Sequence, residues 1–209
     1  MRRLAKEEVP VYLNENQESL TVRYISSLST GKPTTPWRHA SIRDPLNAET
    51  ANRCAYCDSF VKAVAFEHVE HINPKGKFPE LVVEWSNLTI ACPKCNEYKG
   101  DYHSEQAPLL NPYVDDPCEH LMFAGPLIFS RPADDRGQVT VVKLKLSRME
   151  LVESRSRRLT HIQSLVENWA RANTDEIKAT LRDFVIDDFQ SGEYRETVRA
   201  YLEQVGFFP

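Results

Sequence analysis

Cys54-Ala55-Tyr56-Cys57 and Cys92-Pro93-Lys94-Cys95 bracket 34 residues. Within them run Phe66-Glu67-His68-Val69-Glu70-His71-Ile72-Asn73-Pro74-Lys75 and Trp85-Ser86-Asn87-Leu88-Thr89-Ile90-Ala91. Two CxxC pairs supply four soft thiolates in tetrahedral reach, the donor set of a closed structural zinc site (Zn2+). The gap is longer than in the shortest zinc motifs, so an insertion separates the knuckles and carries the chemistry. A carboxylate beside a histidine, Glu70-His71, offers a hard oxygen ligand for a divalent cation and a base that titrates near neutral pH. That pairing suits phosphodiester hydrolysis: the imidazole deprotonates water while a cation stabilises the scissile phosphate and leaving oxygen. A four-cysteine site, with no open position, cannot do this.

The period of two in a straight strand puts Glu67, Val69 and His71 on one face and His68 and Glu70 on the other. Glu67 and His68 therefore stand as competing candidates, and in a regular strand Glu67 in place of Glu70 would share the site with His71 as the metal ligand. Lys75, Lys94 and Lys99 sit next to the proposed site and are candidates to neutralise phosphates. Trp37 and Trp85 read as packing residues bracketing the motif, because lone aromatics do not form the successive stacks of single-strand binders. His39, His103, His120 and His161 read as structural or surface histidines.

The 209 residues, 41% hydrophobic, suffice for a buried core in one or two small domains. The net charge of -4 excludes a global basic field, so any nucleic-acid contact is local or shared with a partner. Five cysteines, four of them in CxxC pairs, fit metal ligation in a reducing compartment, and Cys118 reads as a packed thiol. No apolar run of about 18 residues or signal-like segment occurs, which predicts a cytoplasmic protein without a membrane span.

Residues 1–53 predict an N-terminal helical segment, with Leu20, Val22, Tyr24, Ile25 and Leu28 at helical intervals before Gly31-Lys32-Pro33. Ser29 to Thr35 resembles the tail of a phosphate-binding loop, but the upstream glycine is missing and Pro33 replaces the hydroxyl residue that binds magnesium. Asp44-Pro45 predicts the start of a helix that delivers Cys54. Residues 104–146 predict a linker and a hairpin pairing Leu121–Phe129 with Val139–Leu146. Over 147–209, a capping box at Ser147-Arg148-Met149-Glu150 and stripes through Ile162, Val166, Val185 and Leu202 predict a C-terminal helical region. Its aromatic end, Tyr201, Phe207 and Phe208, is a candidate docking surface.

The order of residues through 54–101 resembles the HNH endonuclease family, whose zinc-bearing members place the motif between two CxxC pairs. The resemblance implies an α+β fold with a zinc-stabilised ββα-metal core over 54–103: a hairpin carrying the acidic-His pair, then a helix opening at the second knuckle. It implies His71 as general base, Glu70 and Asn96 as ligands of a catalytic Mg2+ or Mn2+, and Asn87 as the residue that braces the loop and orients the base. Glu is one methylene longer than the Asp of many relatives.

Met1-Arg2-Arg3, Trp37-Arg38, Glu70-His71-Ile72-Asn73-Pro74-Lys75, Leu109-Leu110-Asn111-Pro112, Asp116-Pro117 and His120-Leu121 further resemble the PtuB group of HNH nucleases, found in Septu-type and retron-associated antiphage systems. That resemblance implies an ABC-type ATPase partner of the PtuA kind, and in retron systems a reverse transcriptase with its RNA-linked DNA. The substrate, DNA or RNA with transfer RNA included, stays open. The alternative is a non-catalytic zinc-stabilised nucleic-acid-binding or adaptor module, which needs none of Glu70, His71, Asn87 and Asn96.

Overall fold

The computed structural model describes residues 1–61 and 67–208. Phe66, quoted in the motif above, lies outside the described residues. The chain is a mixed α/β protein with small antiparallel hairpins. Helix α1 (Val11–Leu28) starts after Pro10 and buries Leu13, Leu20 and Tyr24, whereas Val22, Ile25 and Leu28 face solvent. Helix α2 (Ala40–Glu49) begins at His39, whose Nδ1 accepts from the Ser41 amide at 3.3 Å. The expected start at Asp44-Pro45 is therefore corrected, because Pro45 lies inside the helix and merely removes one backbone bond. Ile42 and Leu46 are fully buried and anchor α2 in the core.

Strand β1 (His68–His71) pairs antiparallel with β2 (Leu88–Ala91), with Glu70 opposite Thr89 and His71 opposite Leu88. Helix α3 (Pro93–Lys99) opens directly on the second knuckle, where Cys92 Sγ accepts from the Cys95 amide at 3.4 Å. The zinc knuckles, α1, α2 and the β1–β2 hairpin share one hydrophobic cluster that includes Leu13, Leu46, Val82, Leu88 and Ile90.

Beyond α4 (Pro117–His120), β3 (Leu121–Ala124) and β4 (Leu127–Ser130) form a hairpin within the first apolar run alone. Gly125-Pro126 is its two-residue loop, and Gly125 takes φ 57°, the positive value such turns need at their first position. The expected second strand is instead helix α5 (Asp135–Lys143), capped by Asp134 Oδ1 on the Gly137 amide at 2.6 Å. The β-branched run was misleading because packing overrides propensity here. Thr140 is buried against the Leu110 amide, and a Cβ at Gly137 would meet the His120 carbonyl at 2.6 Å.

Helices α6 (Met149–Ala170), α7 (Asp175–Ser191) and α8 (Arg195–Gln204) enclose a second cluster of Ile162, Val166, Val185, Phe189, Val198 and Leu202. The capping box is corrected: the Ser147 hydroxyl bonds both the carbonyl and the amide of Ile128, leaving α6 without a side-chain cap. Phe207 belongs to this second core, edge-on to Trp169 at 5.0 Å, so the aromatic end packs inward rather than offering itself for docking. Asp58 Oδ2 accepts from the Arg195 amide at 2.7 Å and Ser59 meets the Tyr194 hydroxyl at 2.9 Å, which ties α8 to the first knuckle.

Candidate active site

The four knuckle cysteines converge with all ligand atoms within 4.8 Å of one another. Cys57 Sγ and Cys92 Sγ lie 3.8 Å apart. A tetrahedron of sulfurs at zinc-thiolate bond length has edges of about 3.8 Å, so the cluster fits a structural zinc ion. Both terminal nitrogens of Arg148 stand 3.7 Å from Cys95 Sγ and offset the negative charge that four thiolates would bring. Cys118 stands apart and donates to Glu196 at 3.3 Å.

The hairpin between the knuckles presents Glu70 and His71 at the end of β1, and α3 brings Asn96 to the same small cleft. The two strand residues point to opposite faces yet meet this cleft together. His71 is 3% exposed; its Nε2 lies 2.9 Å from the Val82 carbonyl, and its ring stands edge-on to Trp37 with centroids 4.9 Å apart. A carbonyl can only accept, so Nε2 carries the proton and Nδ1 keeps a free lone pair. Burial lowers the imidazole pKa from 6.5 to about 4, with the neighbouring Lys75 and Lys99 charges acting in the same direction. The ring is therefore neutral at physiological pH, as a proton acceptor must be.

Asn87 binds the chain on either side of this ring. Its Oδ1 accepts from the Asn73 amide at 2.7 Å, and its Nδ2 donates to the carbonyls of Asn73 and Leu81 at 3.1 and 3.0 Å. Leu81 immediately precedes the residue whose carbonyl holds His71, so one buried amide fixes both the loop after β1 and the turn that sets the tautomer.

Glu70 is 4% exposed and its carboxylate lies 2.7 Å from Lys99 Nζ, which also donates to the His71 carbonyl at 2.7 Å. Burial raises the Glu70 pKa and the Lys99 ammonium opposes that shift. Lys99 is thus held inside, 2% exposed, rather than offered to solvent. Lys94 is exposed beside Glu97, and Lys75 sits over the Trp37 ring at 5.4 Å. Asn96 Nδ2 contacts His68 Nδ1 at 2.8 Å, which directs the amide oxygen away from that ring. Glu67 turns toward α2, where Asn47 donates to it at 3.2 Å and Arg43 lies 3.6 Å away. With His68 it lines a neighbouring cleft, and Glu70 rather than Glu67 shares a cleft with His71.

Sequence reasoning missed the Val82 carbonyl, the Trp37 edge and the Glu70–Lys99 pair. The last had a signal: Asn96 and Lys99 are three apart on a helix and so share a face.

Residues 54–102 match the family model for HNH endonuclease, so the knuckles and the hairpin between them form an HNH endonuclease-type domain. Over a little more than half of its length the chain is also similar to PtuB proteins. A Septu protein PtuB from Bacillus thuringiensis is 33% identical over 115 residues, 54% of this chain and 44% of that protein. A Septu protein PtuB from Bacillus mycoides (strain KBAB4) is 27% identical over 156 residues, 60% of this chain and 53% of that protein. The chain spans about half the length of these curated relatives. No helix among the described residues is long and apolar enough to cross a membrane.

Proposed function

We propose that this chain is a metal-dependent HNH endonuclease that hydrolyses phosphodiester bonds of nucleic acid and serves as the effector of a bacterial antiphage defence complex. The observation that carries the reading is the neutral His71, its Nε2 tied to the Val82 carbonyl and its Nδ1 lone pair left available, beside Glu70 and Asn96 in one cleft. An adaptor module has no use for a buried, tautomer-fixed imidazole next to a buried carboxylate.

In this reading His71 Nδ1 takes a proton from a water molecule as its oxygen attacks the phosphorus, and the bond to the leaving oxygen breaks. Val82 and Trp37 orient the ring, and Asn87 keeps Val82 in place. Glu70 and Asn96 would hold the divalent cation, Mg2+ or Mn2+. Two oxygen donors from the protein, with substrate and water completing the shell, suit such a hard ion. When bound it supplies Lewis-acid stabilisation of the charge developing on the phosphate. Lys99 favours the ionised form of Glu70 against the burial that raises its pKa.

The similarity to Septu PtuB proteins supports an ABC-type ATPase of the PtuA kind as partner. In a retron-associated setting this reading adds a reverse transcriptase and its RNA-linked DNA. DNA and RNA, including transfer RNA, are the substrate classes, and the cytoplasm is the compartment. The net charge of -4 favours efficient cutting by the assembly over cutting by the lone chain. The test is cleavage of labelled DNA and RNA by the chain alone and with its co-purified ATPase, with Mg2+, Mn2+ or EDTA. Divalent-dependent cleavage that is strongest in the assembly is expected. Binding without cleavage under every condition would return the chain to the adaptor class.

A further inference from the structure

The cleft beside the proposed active site is the larger of the two, about 550 Å³ against about 100 Å³. Asn96 and Lys75 line both, so the two openings adjoin. The lining of the larger one is cationic. Arg38, Arg43 and Lys75 face a single carboxylate, Glu67, which is already engaged by Asn47 and Arg43. Arg43 also pairs with Asp44 at 3.2 Å. Among the described residues, the Arg38 side chain has no hydrogen-bond or ion-pair partner, and the Lys75 ammonium contacts only the Trp37 ring. Two uncommitted cations therefore converge on one concave surface of an acidic chain, next to the residues assigned to hydrolysis.

Arg38 is presented by a short 3₁₀ turn, Pro36–Arg38, fixed by the buried Trp37. A guanidinium offered from a rigid turn loses little freedom on binding. Its partner should be an anion that continues from the catalytic cleft. Asp101, which lines the catalytic cleft but not the neighbouring one, repels a polyanion. His68 stands three residues before His71 on β1, about 10 Å away along the strand, which puts the cleft within reach of a phosphate near the scissile one on the same strand. Trp37 is buried and offers no stacking face, so a contact here is to the backbone and carries no base preference.

We propose that this cleft binds a backbone phosphate of the substrate strand flanking the scissile phosphate, held by Arg38 and Lys75 with His68 at its edge. This rests on the nuclease reading above. The cleft supplies locally the positive surface that the net charge denies globally.

The test uses the His71→Ala protein, alone and in its ATPase assembly, binding labelled single-stranded DNA and RNA across a salt series. Arg38→Ala and Lys75→Ala are each expected to weaken binding about fivefold or more on every sequence and to lower the slope of log K against log salt by about 0.7. Arg38→Lys should recover most of the slope, and Arg157→Ala, on the exposed side of α6, should change neither quantity. Unchanged affinity and slope in the Arg38→Ala/Lys75→Ala double variant, with the parent still binding, overturns the proposal and leaves the nuclease reading standing. A parent that binds neither polymer, and with His71 restored cleaves neither, overturns both.

Discussion

The Nε2 of His71 lies 2.9 Å from the carbonyl oxygen of Val82, and this one contact decides which nitrogen is basic. It places the proton on Nε2 and leaves Nδ1 as the acceptor. In zinc-loaded protein free of other divalent cations, His71 should titrate at about 4 rather than 6.5, with nitrogen shifts of the Nε2–H tautomer. NMR of the labelled imidazole measures both. The sign for stability follows: between pH 6.5 and 4 the unfolded chain takes up a proton that the folded chain refuses. Stability is then lost as pH falls through that window, by about 3 kcal/mol in total, with no contribution from this group above it. A His71 titration near 6.5 would contradict the account of its burial.

Glu70 and Lys99 form a buried pair, and removing one partner strands the other. Lys99→Met should cost about 3–5 kcal/mol in urea unfolding and raise the Glu70 pKa further. Glu70→Gln/Lys99→Met should recover much of that loss, since it removes both charges. Equal stability of Lys99→Met and wild type would mean that the pair is not formed in solution.

Asn87→Ala deletes three hydrogen bonds to backbone groups of Asn73 and Leu81. The expected cost is about 2–4 kcal/mol of folding stability. Cleavage should fall about tenfold or more through kcat, because the Val82 carbonyl no longer fixes the His71 ring. Steady-state kinetics of the folded variant separate this from simple unfolding: a kcat that stays at the wild-type value would remove Asn87 from the mechanism.

Much of the site was legible because its residues fall close together in sequence. The CxxC pairs, the Glu70-His71 step and Asn96 immediately after Cys95 are local patterns, and the fold brings them together as their spacing implies. What stayed hidden depends on long-range packing. Trp37 meets His71 from the N-terminal segment, and the Val82 contact is to a carbonyl, a group every residue carries. Lys99 reads as a phosphate-neutralising cation because it sits next to the proposed site in sequence, whereas its helix turns it inward to Glu70. Around the site the same limit applied in reverse. Val139 to Leu146 shows strand-like composition, but Asp134 caps a helix there and Thr140 needs a buried partner on Leu110. Asp44-Pro45 has the chemistry of a helix start, yet His39 caps the helix earlier and Pro45 is accommodated within it.

Cys92→Ser should cost folding as well as activity, because Cys92 belongs to the four-cysteine cluster that would hold zinc and also caps α3. A structural zinc contributes folding free energy directly. Elemental analysis should find about one zinc per chain in the wild type and less in the variant. A zinc-free wild-type protein that is fully folded would contradict the structural role.

The most direct measurement is nuclease activity of His71→Ala and His68→Ala in the reconstituted assembly, with zinc content and melting temperature followed in parallel. His71 touches no knuckle cysteine, so its loss should leave zinc unchanged and melting close to wild type while cleavage falls about 10²- to 10⁴-fold, with little rescue by added magnesium. His68, exposed at the edge of the neighbouring cleft, should lose far less. Normal cutting by His71→Ala together with a dead His68→Ala would contradict the account and make Glu67-His68 the active pair.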